Sequence, residues 1–258
     1  MFFHKYDPKS VLITGASSGL GAQLAMEYAS NERILHLCGR NKKRLDVVAK
    51  SCRKKGAKVF THIFDVTDER TATKAIQNAF HQSPLDLVIA NAGVSAGVIG
   101  IPENSEAIRR IMTTNIFGTI NTILPALDLM RKRHKGHIAL VASLAAYRGM
   151  ASCPAYSASK SAIKALGEAL YGQQKPKGIH ITTICPGFIE TPLTDKNRFY
   201  MPFLMKANKA ARIIHKRLNR QPALIAFPAI MVFGAWIGSC LPSWLALPIF
   251  ARLPKKEK

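Results

Sequence analysis

The chain has 258 residues, 48% of them hydrophobic and 20% charged, which suits one large α/β domain with a well-buried core and excludes global disorder. Its formal net charge of +22 favours an anionic partner, whether a lipid headgroup layer, a nucleic acid or a phosphate-bearing small molecule, unless it serves solubility alone. Five scattered cysteines without a C-x-x-C pair (Cys38, Cys52, Cys153, Cys185, Cys240) read as reduced thiols of a cytosolic protein, and eight histidines without ligand spacing propose no metal site.

In chain order, Met1 to Lys9 is too short and too charged for a signal peptide. Ser10 to Thr14 is an apolar strand that runs into Gly15-Ala-Ser-Ser-Gly19-Leu-Gly21, and Ala22 to Ser30 has helical composition. Strand, glycine-rich turn and helix together aim backbone N–H groups and a helix N-terminus at a diphosphate. Thr14, Gly15, Ser17, Ser18, Gly19, Leu20 and Gly21 are therefore the first candidate cofactor residues, although a tight turn without a ligand has the same composition.

Ile34 to Cys38 reads as a second strand, ending in Gly39-Arg40-Asn41-Lys42-Lys43-Arg44. In a dinucleotide fold this strand end meets the adenosine ribose, where an acid binds a 2′-hydroxyl and an arginine accommodates a 2′-phosphate. The position holds Arg40 and no acid, so NADP(H) is expected over NAD(H), with Ser17 as an additional phosphate donor. Lys42, Lys43 and Arg44 read as the solvated first turn of the next helix.

Ala57 to Ile63 is a third strand, and Thr67 or Asp68 caps a helix from Glu69 to Gln82. Leu85 to Ala90 is a fourth, apolar enough for a parallel sheet covered on both faces. It runs into Asn91-Ala92-Gly93, a second small-residue turn at the strand edge where ligands of open α/β sheets collect. Asn115 lies in a helical stretch from Glu103 to Phe117, among Ile111, Met112, Ile116 and Phe117; it is a bonded core polar group, a helix irregularity or a functional residue. A second helical run follows from Gly118 to Arg133. His137 to Ala142 makes a fifth strand ending in Ser143, whose hydroxyl could lie beside the phenol of Tyr156 or merely cap a turn.

Pro154 to Tyr171 reads as helix and contains Tyr156-Ser-Ala-Ser-Lys160. Positions i and i+4 share a helical face, so the ammonium would sit beside the phenol and lower a pKa that is about 10 when unperturbed. That makes Tyr156 a candidate proton donor and acceptor near neutral pH; a tyrosine and lysine so spaced also occur on ordinary solvated faces.

Taken together, Thr14-Gly15-x-x-x-Gly19-x-Gly21, Asn91-Ala92-Gly93, Asn115, Ser143, Tyr156-x-x-x-Lys160 and Pro186-Gly187 resemble the short-chain dehydrogenase/reductase family over roughly residues 9 to 195. The resemblance implies a doubly wound, Rossmann-like parallel sheet of seven strands with helices on both faces, and a tetrad of Asn115, Ser143, Tyr156 and Lys160. By similarity, Tyr156 would pass a proton to a carbonyl oxygen held by Ser143, while the nicotinamide delivers hydride. Lys160 would bind ribose hydroxyls, and Asn115 would hold a water that links Lys160 to solvent. Asp65 and Val66 would flank the adenine, Asn91 with Ala92 and Gly93 the neighbouring ribose, and Pro186, Gly187, Ile189 and Thr191 the nicotinamide end.

Beyond Thr191 the chain departs from the family. Phe188 to Ala207 is the expected substrate loop; Phe188, Phe199 and Phe203, with Tyr147, Ser143 and Tyr156, predict a pocket for an apolar carbonyl or alcohol. Lys206 to Arg220 is a basic helix, and Ala223 to Phe227 supplies the last strand, closing a catalytic domain over 1–227. From Lys196 to Lys258 twelve basic residues face one acid, half of the net charge, yet Pro228 to Ala251 carries no charge at all. The prolines and glycines of this 228–258 tail argue against one straight span. The expectation is one or two short helices lying in an anionic membrane interface on the cytoplasmic face; burial of the segment in a homodimer is the rival. The sequence has no recognised nucleic-acid motif.

Overall fold

The computed structural model describes residues 6–95, 103–195 and 200–251. The chain alternates strand and helix: β1 (Ser10–Thr14), α1 (Gly19–Tyr28), β2 (Ile34–Gly39), α2 (Lys42–Lys54), β3 (Lys58–Ile63), α3 (Glu69–Gln82) and β4 (Leu87–Ala90). The second half adds α4 (Ser105–Met112), α5 (Gly118–Arg133), β5 (Gly136–Val141), α6 (Pro154–Gln174) and β6 (Ile179–Pro186). A small ribbon of β7 (Ile189–Glu190) and β8 (Met205–Lys206) precedes α7 (Ala207–Leu218) and β9 (Leu224–Phe227), and the described chain ends with α8 (Ala229–Cys240) and α9 (Ser243–Ala251).

Seven strands form one parallel sheet in the order β3-β2-β1-β4-β5-β6-β9. Strand order reverses between β1 and β4, and a crevice opens there at the carboxyl ends of the strands. Alternation along β1 explains the two layers. Val11 and Ile13 join the core beneath α1, α2 and α7, where Leu24, Leu45 and Ile214 are buried. Leu12 joins the opposite core beneath α3, α5 and α6 with Ile76, Ile123 and Ile163. This is the expected doubly wound sheet with helices on both faces.

Several local expectations hold to the residue. Asp68, not Thr67, caps α3, its Oδ1 accepting from the Thr71 amide at 3.1 Å. The five cysteines form no disulfide with one another. One strand went unread: β6 is the longest of the sheet, but His180, Thr182 and Thr183 interrupt its apolar run. Of these, Thr182 is accommodated because its Oγ1 donates to the Pro222 carbonyl at 2.5 Å and also meets the ring nitrogen of buried His137 at 2.8 Å.

Helices α8 and α9 form a short hairpin in which Gly238 lies so close to Phe250 that a Cβ there would come within 2.6 Å of its ring. The hairpin is anchored to the domain. Met231 and Val232 pack against the core, and Arg148 donates to the Ser243 hydroxyl at 3.3 Å. Among the described residues no helix is long and apolar enough to cross a membrane.

Candidate active site

The crevice at the switch point holds about 460 Å³ and is lined by residues from both halves of the sheet. At one end lies the glycine turn. Gly15 and Gly19 have φ of +67° and +54°, backbone that L side chains rarely adopt. Gly21 does not line the crevice but makes the turn possible, since a Cβ there would fall 2.3 Å from the Gly15 carbonyl oxygen. Ser18 precedes α1 without a side-chain cap, so the first-turn N–H groups of the helix keep their capacity for an anion.

Thr14 likewise stands behind the crevice. Its hydroxyl accepts from the amides of Asn91 and Ala92 at 3.1 and 3.2 Å, tying the second small-residue turn to β1. The Asn91 side chain returns the tie, donating to the Thr14 carbonyl at 3.0 Å. Ser17, Ser18, Gly19, Leu20, Asn91, Ala92 and Gly93 all face the cavity.

At the end of β2, Arg40 lines the crevice and pairs with Asp65 at 3.1 Å; both are well exposed. The carboxyl of Asp65 sits below its ordinary range although partial burial opposes this, because the Thr67 amide and hydroxyl and the Arg40 guanidinium all favour the anion. Arg44, which the sequence assigns to a solvated helix turn, lines the same end of the cavity. It is brought there by Asn41, which caps α2 by accepting from the Arg44 amide at 2.9 Å. Val66 completes this end.

Ser143, Tyr156 and Lys160 converge on the other end. Pro154 starts α6 with a preset φ, and the Glu103 carboxylate accepts from the Ala155 amide at 2.7 Å, one residue before the tyrosine. Ser143 follows β5, lies beside the Tyr156 phenol, and is itself fixed by accepting from the Ala145 amide at 3.1 Å. Lys160 is 5% exposed; its ammonium donates to the Val141 carbonyl at 2.8 Å and lies 5.7 Å from the centre of the Tyr156 ring.

Here the structure corrects the expected acidification of the phenol. Burial pushes Tyr156 up to about 12, the Ser143 hydrogen bond draws it down, and the nearby thiols Cys153 and Cys185 raise it; Lys160 is not among the groups that shift it. The reason is geometric: the ammonium is directed to a backbone carbonyl, and burial lowers its own pKa to about 8.

Asn115 is fully buried in a π-helical turn, Thr113–Phe117, inserted between α4 and α5. Such turns carry an extra residue and recur at functional sites. The side chain accepts from the Val94 amide at 2.8 Å and donates to the Val94 carbonyl and the Ser159 hydroxyl at 3.0 and 2.9 Å. Ser159 donates in turn to the Tyr156 carbonyl at 2.8 Å. Asn115 therefore braces the tyrosine helix and lies outside the crevice lining, though a Cβ on cavity-lining Gly93 would come within 3.2 Å of its Oδ1 and 3.4 Å of Lys160 Nζ.

Pro186, Gly187, Ile189 and Thr191 close the wall beyond β6, joined by Pro192, Leu193 and Thr194, which carry no sequence signal of their own. The expected substrate residues scatter. Tyr147 packs partly buried against the core, Phe188 is absent from the cavity lining, Phe203 is exposed with φ +55°, and Phe199 lies outside the described residues. An apolar residue beside a site in sequence is drawn as readily into packing as into the pocket.

The residues suit a nicotinamide dinucleotide. A Cβ on Gly15 would strike the Ala92 backbone at 2.9 Å, so two backbone turns are closely apposed, uncapped amides stand at one helix end, and two arginines stand beyond them.

The chain is similar to known proteins over most of its length. The family model described as short chain dehydrogenase matches residues 9–200. An uncharacterized oxidoreductase of Myxococcus xanthus is 34% identical over 236 residues, covering 91% of this chain and 93% of that one. Among solved structures, a short-chain dehydrogenase from Sphingobium yanoikuyae in complex with NADPH superposes with a TM-score of 0.79 at 21% identity, covering 96% of this chain and 98% of that one. One from Mycobacterium paratuberculosis bound to NAD gives 0.74 at 20% identity, covering 84% and 95%. The family model over residues 9–200 and the relative at 34% identity show that the chain belongs to the short-chain dehydrogenase/reductase family of oxidoreductases.

Proposed function

We propose that the protein reduces a ketone or aldehyde on an apolar, lipid-like compound, using NADP(H). The observation that carries this reading is the convergence of Ser143, Tyr156 and Lys160 on one end of the cavity that also holds the glycine turn. The bound nicotinamide would supply the hydride. As negative charge develops on the carbonyl oxygen, the Ser143 hydroxyl and the Tyr156 phenol stand fixed as donors and need no reorganisation. A phenol held near 12 stays protonated at neutral pH, which suits proton donation and therefore the reductive direction. Lys160 would hold ribose hydroxyls with its ammonium, and Asn115 would keep the Tyr156 helix in register through Ser159.

Arg40 and Arg44 support the preference for a 2′-phosphate: both line the ribose end, and the exposed Arg40–Asp65 pair is weak enough to be redirected. Val94, Val141, Ile189 and Leu193 in the cavity wall support an apolar substrate. The test is NADPH oxidation across a panel of aliphatic and polycyclic ketones and aldehydes, with Tyr156→Phe as control. Loss of about 10²–10⁴-fold in kcat with dinucleotide binding intact is expected. A rate that survives the substitution, or binding without turnover across the panel, overturns the proposal.

A further inference from the structure

The α8–α9 hairpin exposes more large apolar surface than any other stretch of the described chain. Ile230, Phe233, Trp236, Trp244, Leu247 and Ile249 are all exposed, the two tryptophans at 55% and 77%. Isolated exposed apolar residues are ordinary, but a run on two successive helices without one charged residue between Pro228 and Ala251 is not. Among the described residues none covers these side chains, although the hairpin itself is held in place by Met231, Val232 and the Arg148–Ser243 hydrogen bond.

We infer that the hairpin seats the protein on an anionic lipid surface, lying in the interface rather than spanning it. Length excludes a span by either helix: twelve and nine residues reach about 18 and 14 Å, against about 30 Å of hydrocarbon. Both helices place tryptophan at the surface, a side chain whose apolar body and polar edge suit the headgroup boundary. Charge selects the surface. The exposed cations of α7 precede the hairpin, a further four basic residues follow it in the sequence, and this last quarter of the chain holds half of the net +22. A lipid layer bearing negative headgroups satisfies the apolar face and the flanking cations at once, whereas a second copy of this chain would set cation against cation. The hairpin also borders the crevice: a Cβ on cavity-lining Gly187 would come within 3.0 Å of Met231 and 3.1 Å of Pro228 at the start of α8, so the seated protein would bring that wall close to the lipid.

The inference is independent of turnover and is read by fluorescence. Trp236 and Trp244 are the only two tryptophans in the chain, so intrinsic emission reports the hairpin alone. Full-length protein is mixed with vesicles of phosphatidylcholine with or without phosphatidylglycerol, and with matched vesicles carrying brominated acyl chains. A blue shift, quenching by the brominated lipid, and release by salt are expected on the anionic vesicles. The pair Phe233→Glu and Leu247→Glu, both exposed, should lower partitioning by about tenfold or more with the glycine-turn site still binding dinucleotide. Unchanged emission with vesicles, equal binding to neutral lipid, or a concentration-dependent shift in lipid-free buffer with dimers in sedimentation overturns it.

Discussion

Replacing Lys160 by methionine separates what the buried cation does for chemistry from what it costs the fold. Its pKa falls from 10.5 to about 8 on burial, a displacement equivalent to about 3 kcal/mol against the folded state at neutral pH. The hydrogen bond to the Val141 carbonyl offsets part of this, about 1.5–3 kcal/mol for a charged donor. At pH 7 the substitution therefore changes stability little, because the two losses nearly cancel. The pH dependence does not cancel. Between about 8 and 10.5 the unfolded lysine holds its proton while the folded one has released it, so the unfolded state binds more protons and stability rises with pH. Urea unfolding at pH 7 and pH 9.5 should show the native protein gaining about 2 kcal/mol relative to Lys160→Met, since each pKa unit is worth about 1.4 kcal/mol. Comparing the two proteins removes the contribution of every other titrating lysine. Parallel stability curves over that interval would refute the assignment of a strongly desolvated ammonium.

Two further outcomes follow from the geometry. Arg40→Ala should lower kcat/KM with NADPH by about 10–100-fold, the worth of a charge-assisted hydrogen bond, and leave NADH nearly unaffected; equal losses with both cofactors would remove the arginine from phosphate recognition. Asn115→Ala strands the Val94 amide and carbonyl and unlinks Ser159, so the melting temperature should drop by an amount equivalent to about 2 kcal/mol or more. An unchanged melting curve would show that water replaces the amide at no cost.

The fold was legible wherever apolar runs ended in turn chemistry. Strand β1 and helix α3 were bounded to the residue, because a glycine turn closes one and an aspartate cap opens the other. Strand β6 was not, since Thr182 in its middle finds partners on β5 and the β9 connection that only folding supplies. In the site, residues held by backbone constraint, such as the glycines and the Tyr156–Lys160 pair, were readable from spacing. Those whose role depends on where a distant group points were not. Arg44 faces the crevice because Asn41 caps its helix, and the Lys160 ammonium favours the Val141 carbonyl over the phenol, neither of which any local pattern encodes. The substrate wall was the least legible part, as aromatic residues near Ser143 and beyond Phe188 were divided between core and surface by packing.

The wide turn at Thr113–Phe117 has a consequence for what changes the gene can tolerate. Each residue of a helix advances the next by about 100°. A residue added to regular helix would swing everything downstream by that angle; this turn already takes up one extra residue, so deleting one from it would relax it to ordinary α geometry and leave α5 facing as before, while displacing Asn115 from the Val94 backbone. A one-residue change of length is thus absorbed at this turn without rotating α5, and its effect falls on Asn115. Helix α5, with Ile123, Leu127 and Met130 buried beneath the sheet, keeps its facing because the surplus residue is stored in this one turn.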